Sequence, residues 1–405
     1  MESKSTHAVE IVPVVLERHP NADSLSVVRV WNFTVVVRTE DWIGVEKAAY
    51  VPPDNILPDK PEYRFLKNTS VLRKEREELE TKQVLAGDPR CGNPHWELLR
   101  DYAPEEYAQK LAAIEAKIDA NTKHLRITVK KLRGIVSMGM LLPAPEGSQI
   151  GDDVAGQLGV THYEPPSMEE IGGRRQHAGD DVAPAPPMIY APAYDVESIY
   201  KYADCFEAGE PVYVSEKIHG QNGRFVATDN GNETVEEHPE TGYWKWSTPV
   251  TLHAGSRTEW KKKEGGSNWW KVQEQNPWIE KWCYDNQDCV LYGEVFGWVQ
   301  ALKYGAKPGQ LFFRAFDVVE GTEFWDAERF LAEIPKDWRV PCLGVMPFDF
   351  EGLQALADGT SLVPGAANQM REGIVIKPLK ERKHWKLGRV VLKLVSNEYL
   401  EKSNR

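Results

Sequence analysis

VYVSEKIHGQNGRFVA, Val212 to Ala227, decides how this chain is read. An apolar run ends on a lysine, Lys217. His219 and Gly220 make a turn, Gly223 follows, and the chain turns apolar again. The pattern predicts two strands around a tight connection. A lysine there is costly once buried, because burial disfavours the charged form. At an ordinary pKa of about 10.4, roughly one amine in a few thousand is neutral at pH 7. Burial and neighbouring cations lower that pKa and expose a nucleophile. The glycines would let a phosphate approach the backbone closely. Taken alone, the stretch fits an ordinary hairpin with an exposed lysine better than it fits a nucleophile.

The segments that follow change the balance. HAGSRT carries Arg257 in a small polar loop, VLYGEVFG is an apolar strand interrupted by Glu294, and LFFRAFDVV is an aromatic strand with Phe316 and Asp317. REGIVIKP places Glu372 at the mouth of a strand that ends near Lys377, and VVLKLVS holds one charge, Lys393. Most of these are apolar runs with an ionisable residue where a strand would normally exclude it. Burying such groups costs about several kcal/mol unless they are paired or functional.

Lys217 in KIHG, Arg257 in SR, Glu294 in YGE, Phe316, Glu372 in EGIVIK and Lys393 in LKL occur in the order of motifs I, Ia, III, IIIa, IV and V of the covalent nucleotidyltransferases. That superfamily contains DNA ligases, RNA ligases and mRNA capping enzymes. EKIHGQN closely resembles the RNA ligase form of motif I, with His219 where DNA ligases commonly carry Asp. The resemblance covers about residues 194–400. HPNADSLSVVRV, starting at His19, resembles OB domains that bind tRNA-like ligands. LRGIVSMGMLLP and GVTHYEPP look like segments of the RNA ligase family whose OB domain precedes the catalytic one, the nick-sealing fifth family.

The resemblance implies an α+β protein. An OB-like β-barrel is expected over residues 1–164, with a helical insertion at about 69–123. A linker rich in Pro, Gly and charge is expected at 165–193. A nucleotidyltransferase domain, ATP-grasp-like and built of antiparallel sheets flanked by helices, is expected over 194–405. Short β-branched runs bounded by Pro, Asn and Asp support the barrel. Tyr107, Leu111, Ile114 and Ile118 fall on one face of a helix that opens at Pro104.

The implied chemistry has three steps. Lys217 takes AMP from ATP, the AMP passes to an RNA 5'-phosphate, and a 3'-hydroxyl then displaces it. The cofactors implied are ATP and Mg²⁺ or Mn²⁺. The partner implied is RNA with nicked or broken ends, with a DNA template strand as an option, and the protein acts as a monomer. Lys217, Glu372 and Lys393 are the expected catalytic residues, with Glu372 holding the metal. Glu216 would read adenine through its carbonyl, Phe316 would stack on the base, and Glu294 would accept from the ribose. Asn222 and Arg257 would bind nucleotide and incoming phosphate. Lys377 and Lys393 would neutralise the α-phosphate and lower the Lys217 pKa. Related RNA ligases often show two lysines two residues apart in motif V. Here Val391 takes the upstream position, and Lys386 or Arg389 are candidates to replace it. Few residues follow motif V, so the resemblance leaves pyrophosphate orientation to the N-terminal domain or the metal.

The bulk numbers agree with a globular enzyme. The chain has 405 residues, 41% of them hydrophobic, and a formal net charge of −12. That charge argues against coating nucleic acid by bulk attraction, yet ten of the last 35 residues are Lys or Arg against four acids. The five scattered cysteines contain no CxxC, so neither a zinc site nor a disulfide framework is indicated. No apolar run is long enough to span a membrane, and the start of the chain lacks the apolar core of a secretory leader. An intracellular protein is expected. The dense tryptophans between residues 244 and 298 are expected to pack a core, and Lys261 to Lys263 to form a solvated face. The competing readings are a DNA ligase, a GTP-dependent capping enzyme and an OB protein that binds nucleic acid without catalysis.

Overall fold

The computed structural model describes residues 7–86, 104–163, 181–187, 189–229, 234–237, 244–247, 250–366 and 368–402. The chain divides into two compact units, His7–Glu164 and Pro165–Arg405. Of the expected linker, residues 165–180 lie outside the described residues.

The first unit is built from short antiparallel strands. Glu10–Pro13, Lys47–Val51 and Met140–Pro143 form one sheet. Leu16–Arg18, Leu25–Val30 and Phe33–Arg38 form a meander. In Phe33–Arg38 the residues Phe33, Val35 and Val37 are buried and their neighbours are not, the period of two that a half-buried strand requires. Val9, Ile11, Ala49, Val51, Leu57 and Leu142 fill the core. Helices Ser70–Ala86 and Pro104–Asp119 pack through Leu72, Leu79, Ile114 and Ile118, with Tyr107 and Leu111 beside them.

The second unit holds two main sheets. A seven-stranded sheet runs in the order Val182–Ala183, Trp260–Lys261, Val250–Gly255, Gln221–Asp229, Cys289–Gly297, Leu311–Glu320, Glu323–Phe324. A five-stranded sheet runs Glu197–Ser198, Leu392–Val395, Gly373–Pro378, Pro211–Lys217, Cys342–Pro347. Both are antiparallel except that Glu197–Ser198 pairs in parallel with Leu392–Lys393. Helices Asn268–Gln275 and Trp278–Asp285 cover one face of the larger sheet. Phe225, Leu291, Val295 and Phe313 are buried there with Trp270 and Trp282, and Trp269 and Trp278 pack at the edge. These tryptophans are core, as their density predicted. Among the described residues, no helix is long and apolar enough to cross a membrane.

The chain crosses between the two sheets at the opening stretch. Pro211–Lys217 belongs to the five-stranded sheet and Gln221–Asp229 to the seven-stranded one, so Ile218–Gly220 bridge them. Lys217 is the last residue before the crossing. The predicted turn is therefore no simple hairpin, because its two strands pair with different neighbours. A second crossing lies beside it. Val340 N–H donates to Ala315 of the larger sheet, and Pro341 accepts from Glu216 N–H of the smaller one.

Candidate active site

Strand alternation sorts the candidate residues by face. In Pro211–Lys217 the residues Tyr213, Ser215 and Lys217 share one face, while Val212, Val214 and Glu216 share the other. The register sets Lys217 opposite Gly373, Ser215 opposite Val375, and Val375 opposite Lys393. Lys393 therefore lies on the Lys217 face, two strands over and two residues along. On the larger sheet Asn222 pairs with Glu294, and Glu294 with Arg314, which puts Asn222 and Glu294 side by side.

The centre is a charge pair across the junction. Lys217 Nζ donates to Glu372 Oε1 at 2.6 Å. Burial alone would lower the Lys217 pKa. The charges of Glu372 and Glu294 and the hydrogen bond to Glu372 outweigh it and hold the value above the ordinary one. This corrects the expectation that the pocket depresses that pKa, because the nearest charges to Lys217 are carboxylates rather than cations. Burial pushes Glu294 up to about 8; Lys217 opposes that rise, Glu372 adds to it, and the Gly220 N–H hydrogen bond opposes it.

Gly220 is dictated by this geometry. A Cβ there would overlap the Val295 carbonyl oxygen and stand 2.9 Å from Glu294 Cγ. Only glycine lets the crossing lie against the Glu294 strand. His219 beside it donates its N–H to Tyr304 Oη at 2.7 Å. Its ring Nδ1 lies 3.3 Å from Tyr399 Oη and 3.9 Å from Glu372 Oε2. Burial lowers its pKa; Glu372 opposes that, and Lys217 and Lys303 reinforce it.

Two polar atoms here have no partner among the described residues. Glu372 Oε2 and Asn222 Oδ1 are buried without a hydrogen bond. Buried polar atoms are normally satisfied, so two orphans in one pocket point to a missing ligand.

The other candidates divide. Glu216 turns its carboxylate to the opposite face, where Ser361 Oγ and Leu362 N–H donate to it. Only its backbone faces the site. Phe316 is the extra residue of a bulge, since Tyr292 pairs with Asp317 and Gly293 with Ala315. Its half-buried ring packs 4.7 Å from Tyr194 and joins Ile218, Phe296 and Tyr304. Arg257 forms an exposed ion pair with Asp195 at 3.0 Å.

Lys377 is engaged by a carboxylate. It shares the Lys217 face by register, but Nζ donates to Asp317 Oδ1 at 3.1 Å and both residues are buried. Asp317 Oδ2 also accepts from Tyr194 Oη and Arg389 Nη2, each at 2.6 Å. Arg389 lies over the Phe324 ring at 3.6 Å. Lys377 and Arg389 are thus balanced by Asp317 together with Glu381, which accepts from Arg389 and lies 3.8 Å from Lys377 Nζ, in a cluster that ties the two sheets together. Neither is presented as a phosphate ligand. Lys386, the other candidate replacement, pairs with Asp204. Asp317 is the residue the motif reading left without a role, although a carboxylate inside LFFRAFDVV was its signal. Tyr304 and Lys303 carried no signal, because a loop sequence does not say where it docks.

The remaining expectations resolve simply. Cys283 and Cys289 are buried in the core, where burial raises both thiols. Lys261 is less solvated than its run implied, pairing with Asp181 and Glu259, whereas Lys262 and Lys263 are exposed.

Residues 210–395 match the RNA ligase family model, and every candidate site residue lies inside that span. Over that span the chain is similar to RNA ligase domains. An OB-fold domain model matches residues 8–86 in front of it. Solved structures of Naegleria gruberi RNA ligase share the fold of the whole chain. An apo variant gives a TM-score of 0.64 at 19% identity, covering 99% of this chain and 100% of that one. A variant with ATP and Mn gives 0.63 at 19%, covering 98% and 100%. The form with PPi gives 0.63 at 20%, covering 99% and 100%. No curated protein matches the chain. The RNA ligase domain behind an OB-fold domain is the architecture the motif order implied.

Proposed function

We propose that the chain is an ATP-dependent RNA ligase that works through AMP carried on Lys217. The observation that carries this reading is the Lys217–Glu372 pair beside Glu294, inside the RNA ligase match. Lys217 Nζ attacks the α-phosphorus of ATP, forms a P–N bond, loses a proton and expels pyrophosphate. The AMP then passes to an RNA 5'-phosphate. A 3'-hydroxyl attacks that end, forms the phosphodiester and releases AMP. All three are displacements at phosphorus, for which positioning and charge neutralisation supply most of the catalysis.

The residues fit a divalent metal. Ions of the Mg²⁺ class take one or two protein carboxylates and fill the rest of their shell with water and substrate phosphate. Glu372 Oε2, buried and unpartnered, is a free ligand of that kind. Bound there, Mg²⁺ or Mn²⁺ would neutralise phosphate charge and compete with the Lys217 ammonium for Glu372. The chain's own residues do the remainder. Glu294 and the orphan Asn222 Oδ1 take ribose and nucleotide hydroxyls. Phe316 offers a ring edge or face to adenine, and the Glu216 carbonyl reads its amine. Lys393 faces the α-phosphate from two strands over, and Arg257 meets RNA phosphate at the surface. The substrate is RNA with nicked or broken ends, sealed in a duplex whose template strand is RNA or DNA, by a monomeric protein inside the cell.

Incubation with α-³²P-labelled ATP or GTP tests this reading, followed by sealing of nicks with RNA or DNA at the 3'-hydroxyl. Labelling by ATP and preferential sealing of RNA 3' ends are expected. Preference for GTP, or equal sealing of both ends, contradicts the assignment, because the 2'-hydroxyl is what distinguishes RNA there.

A further inference from the structure

Val391 is apolar and buried where a second phosphate-binding cation was expected. The cations nearby are spoken for. Lys377 and Arg389 belong to Asp317, and Lys386 to Asp204. A nucleotide triphosphate carries several negative charges into a pocket that already holds Glu294 and Glu372. Lys303 is a further cation, and its described contact is an aromatic ring rather than a carboxylate. Lys303 lies in the loop between Cys289–Gly297 and Leu311–Glu320, with its ammonium 4.5 Å from the centre of the Trp298 ring. Among the described residues it forms no ion pair.

The loop is fastened to the site. Tyr304, the next residue, is buried at 1% exposure and held at φ 51°, a conformation that non-glycine residues seldom adopt. Its N–H donates to Gln369 Oε1 at 3.0 Å, and its Oη accepts from His219 N–H at 2.7 Å. At Gly305 a Cβ would overlap the Gly365 carbonyl oxygen, so the loop can dock only with glycine there. His219 is two residues past Lys217. Lys303 is therefore anchored through its neighbour to the backbone of the crossing that carries the nucleophile. Its charge reaches the His219 ring, where it opposes protonation. Burial lowers the pKa of Lys303 itself.

We infer that Lys303 binds a phosphate oxygen of the bound triphosphate and supplies the cation that position 391 lacks, a role that rests on the nucleotidyl-transfer reading above. The Trp298 ring holds the ammonium without neutralising it. A carboxylate partner would have to be displaced first, whereas an aromatic face leaves the charge available to an anion. The Tyr304 anchor fixes the position, so the lysine enters the complex partly ordered.

The test is the ATP concentration that half-saturates labelling of Lys217, measured for the wild type, Lys303→Ala and Lys303→Arg. Melting temperatures monitor folding. A charge-assisted hydrogen bond lost from a bound phosphate predicts that Lys303→Ala needs roughly tenfold more ATP or higher still. Lys303→Arg should recover most of that loss. The maximal labelling rate should change less than the half-saturating concentration. An unchanged ATP dependence in Lys303→Ala overturns the inference. So does normal labelling with slowed AMP transfer to RNA, which would give this lysine to the RNA phosphate instead. Failure of the wild type to label is a separate result and rejects the enzyme reading itself.

Discussion

Lys217 Nζ and Glu372 Oε1 stand 2.6 Å apart beside the Lys217–Gly373 pair, the last before the chain changes sheets. With Glu294 nearby, this contact holds the amine charged, against the effect of burial. Its folded pKa lies above the unfolded one. The stability the pair contributes is therefore present at neutral pH and lost as pH rises through the folded value. Reactivity follows the opposite course, because the neutral amine is the nucleophile. Acetylation at pH 8, read by peptide mass spectrometry, should modify Lys217 more slowly than exposed lysines. In Glu372→Gln, where burial is no longer opposed by that charge, modification should accelerate. Equal rates in the two proteins would show that Glu372 does not govern the proton.

Glu294 predicts an inverse pH dependence between two proteins. Burial first, then the Glu372 charge, raise its pKa to about 8, despite Lys217 and the Gly220 N–H. A carboxyl raised in the folded state contributes stability below its unfolded pKa and loses it as pH climbs through the folded value. Glu294→Gln has no proton to lose. Its stability relative to wild type should therefore improve between pH 5 and pH 9, on the order of 1–3 kcal/mol. Thermal melts at the two pH values read this directly, and parallel shifts would contradict it.

Asp317 balances Lys377 and Arg389 in a buried cluster. Burial alone would raise its pKa, but the two cations and the Tyr194 hydroxyl hold it low. Asp317→Asn removes the fully buried carboxylate and leaves Lys377 and Arg389 with Glu381 alone as counterion, and should cost about 3–5 kcal/mol in urea denaturation. Lys377→Met should also lose stability, by a smaller amount, since Arg389 still pairs with Asp317. A Lys377→Met protein of full stability that binds ATP weakly would restore Lys377 as a phosphate ligand.

Gly220→Ala tests the crossing itself. The added methyl would meet the Val295 carbonyl and Glu294 Cγ, so the turn must shift. Overpacking of this kind costs about 1–3 kcal/mol. Moving the nucleophile relative to its target should slow labelling by about tenfold or more. Wild-type labelling in a folded Gly220→Ala protein would mean the turn has slack.

Much of this architecture was legible in the sequence because strands exclude charge. An ionisable residue inside an apolar run is conspicuous, and Lys217, Glu294, Glu372 and Lys393 were singled out that way. The same signal also singled out Lys377, but it could not show that Lys377 pairs with Asp317. A buried charge can face a ligand or another charge, and Asp317, its partner, lies 60 residues away in the chain. The charge state of Lys217 was illegible for the same reason, since it is set by Glu372 from 155 residues away. The tryptophans of the two helices pack as expected, because amphipathic helices with aromatic faces need a sheet to cover, whereas Trp298 is exposed and the side chains of Trp244 and Trp246 lie outside the described residues. Lys303 escaped notice because its position is fixed by Gln369 and Gly365, which its own loop sequence does not mention.

The most direct measurement is the site of AMP attachment. Protein incubated with α-³²P-ATP and Mg²⁺ would be digested and the labelled peptide sequenced by mass spectrometry. AMP on Lys217, with no label in Lys217→Ala, is the expected result. Label on another lysine, or undiminished label in Lys217→Ala, would contradict the account at its centre.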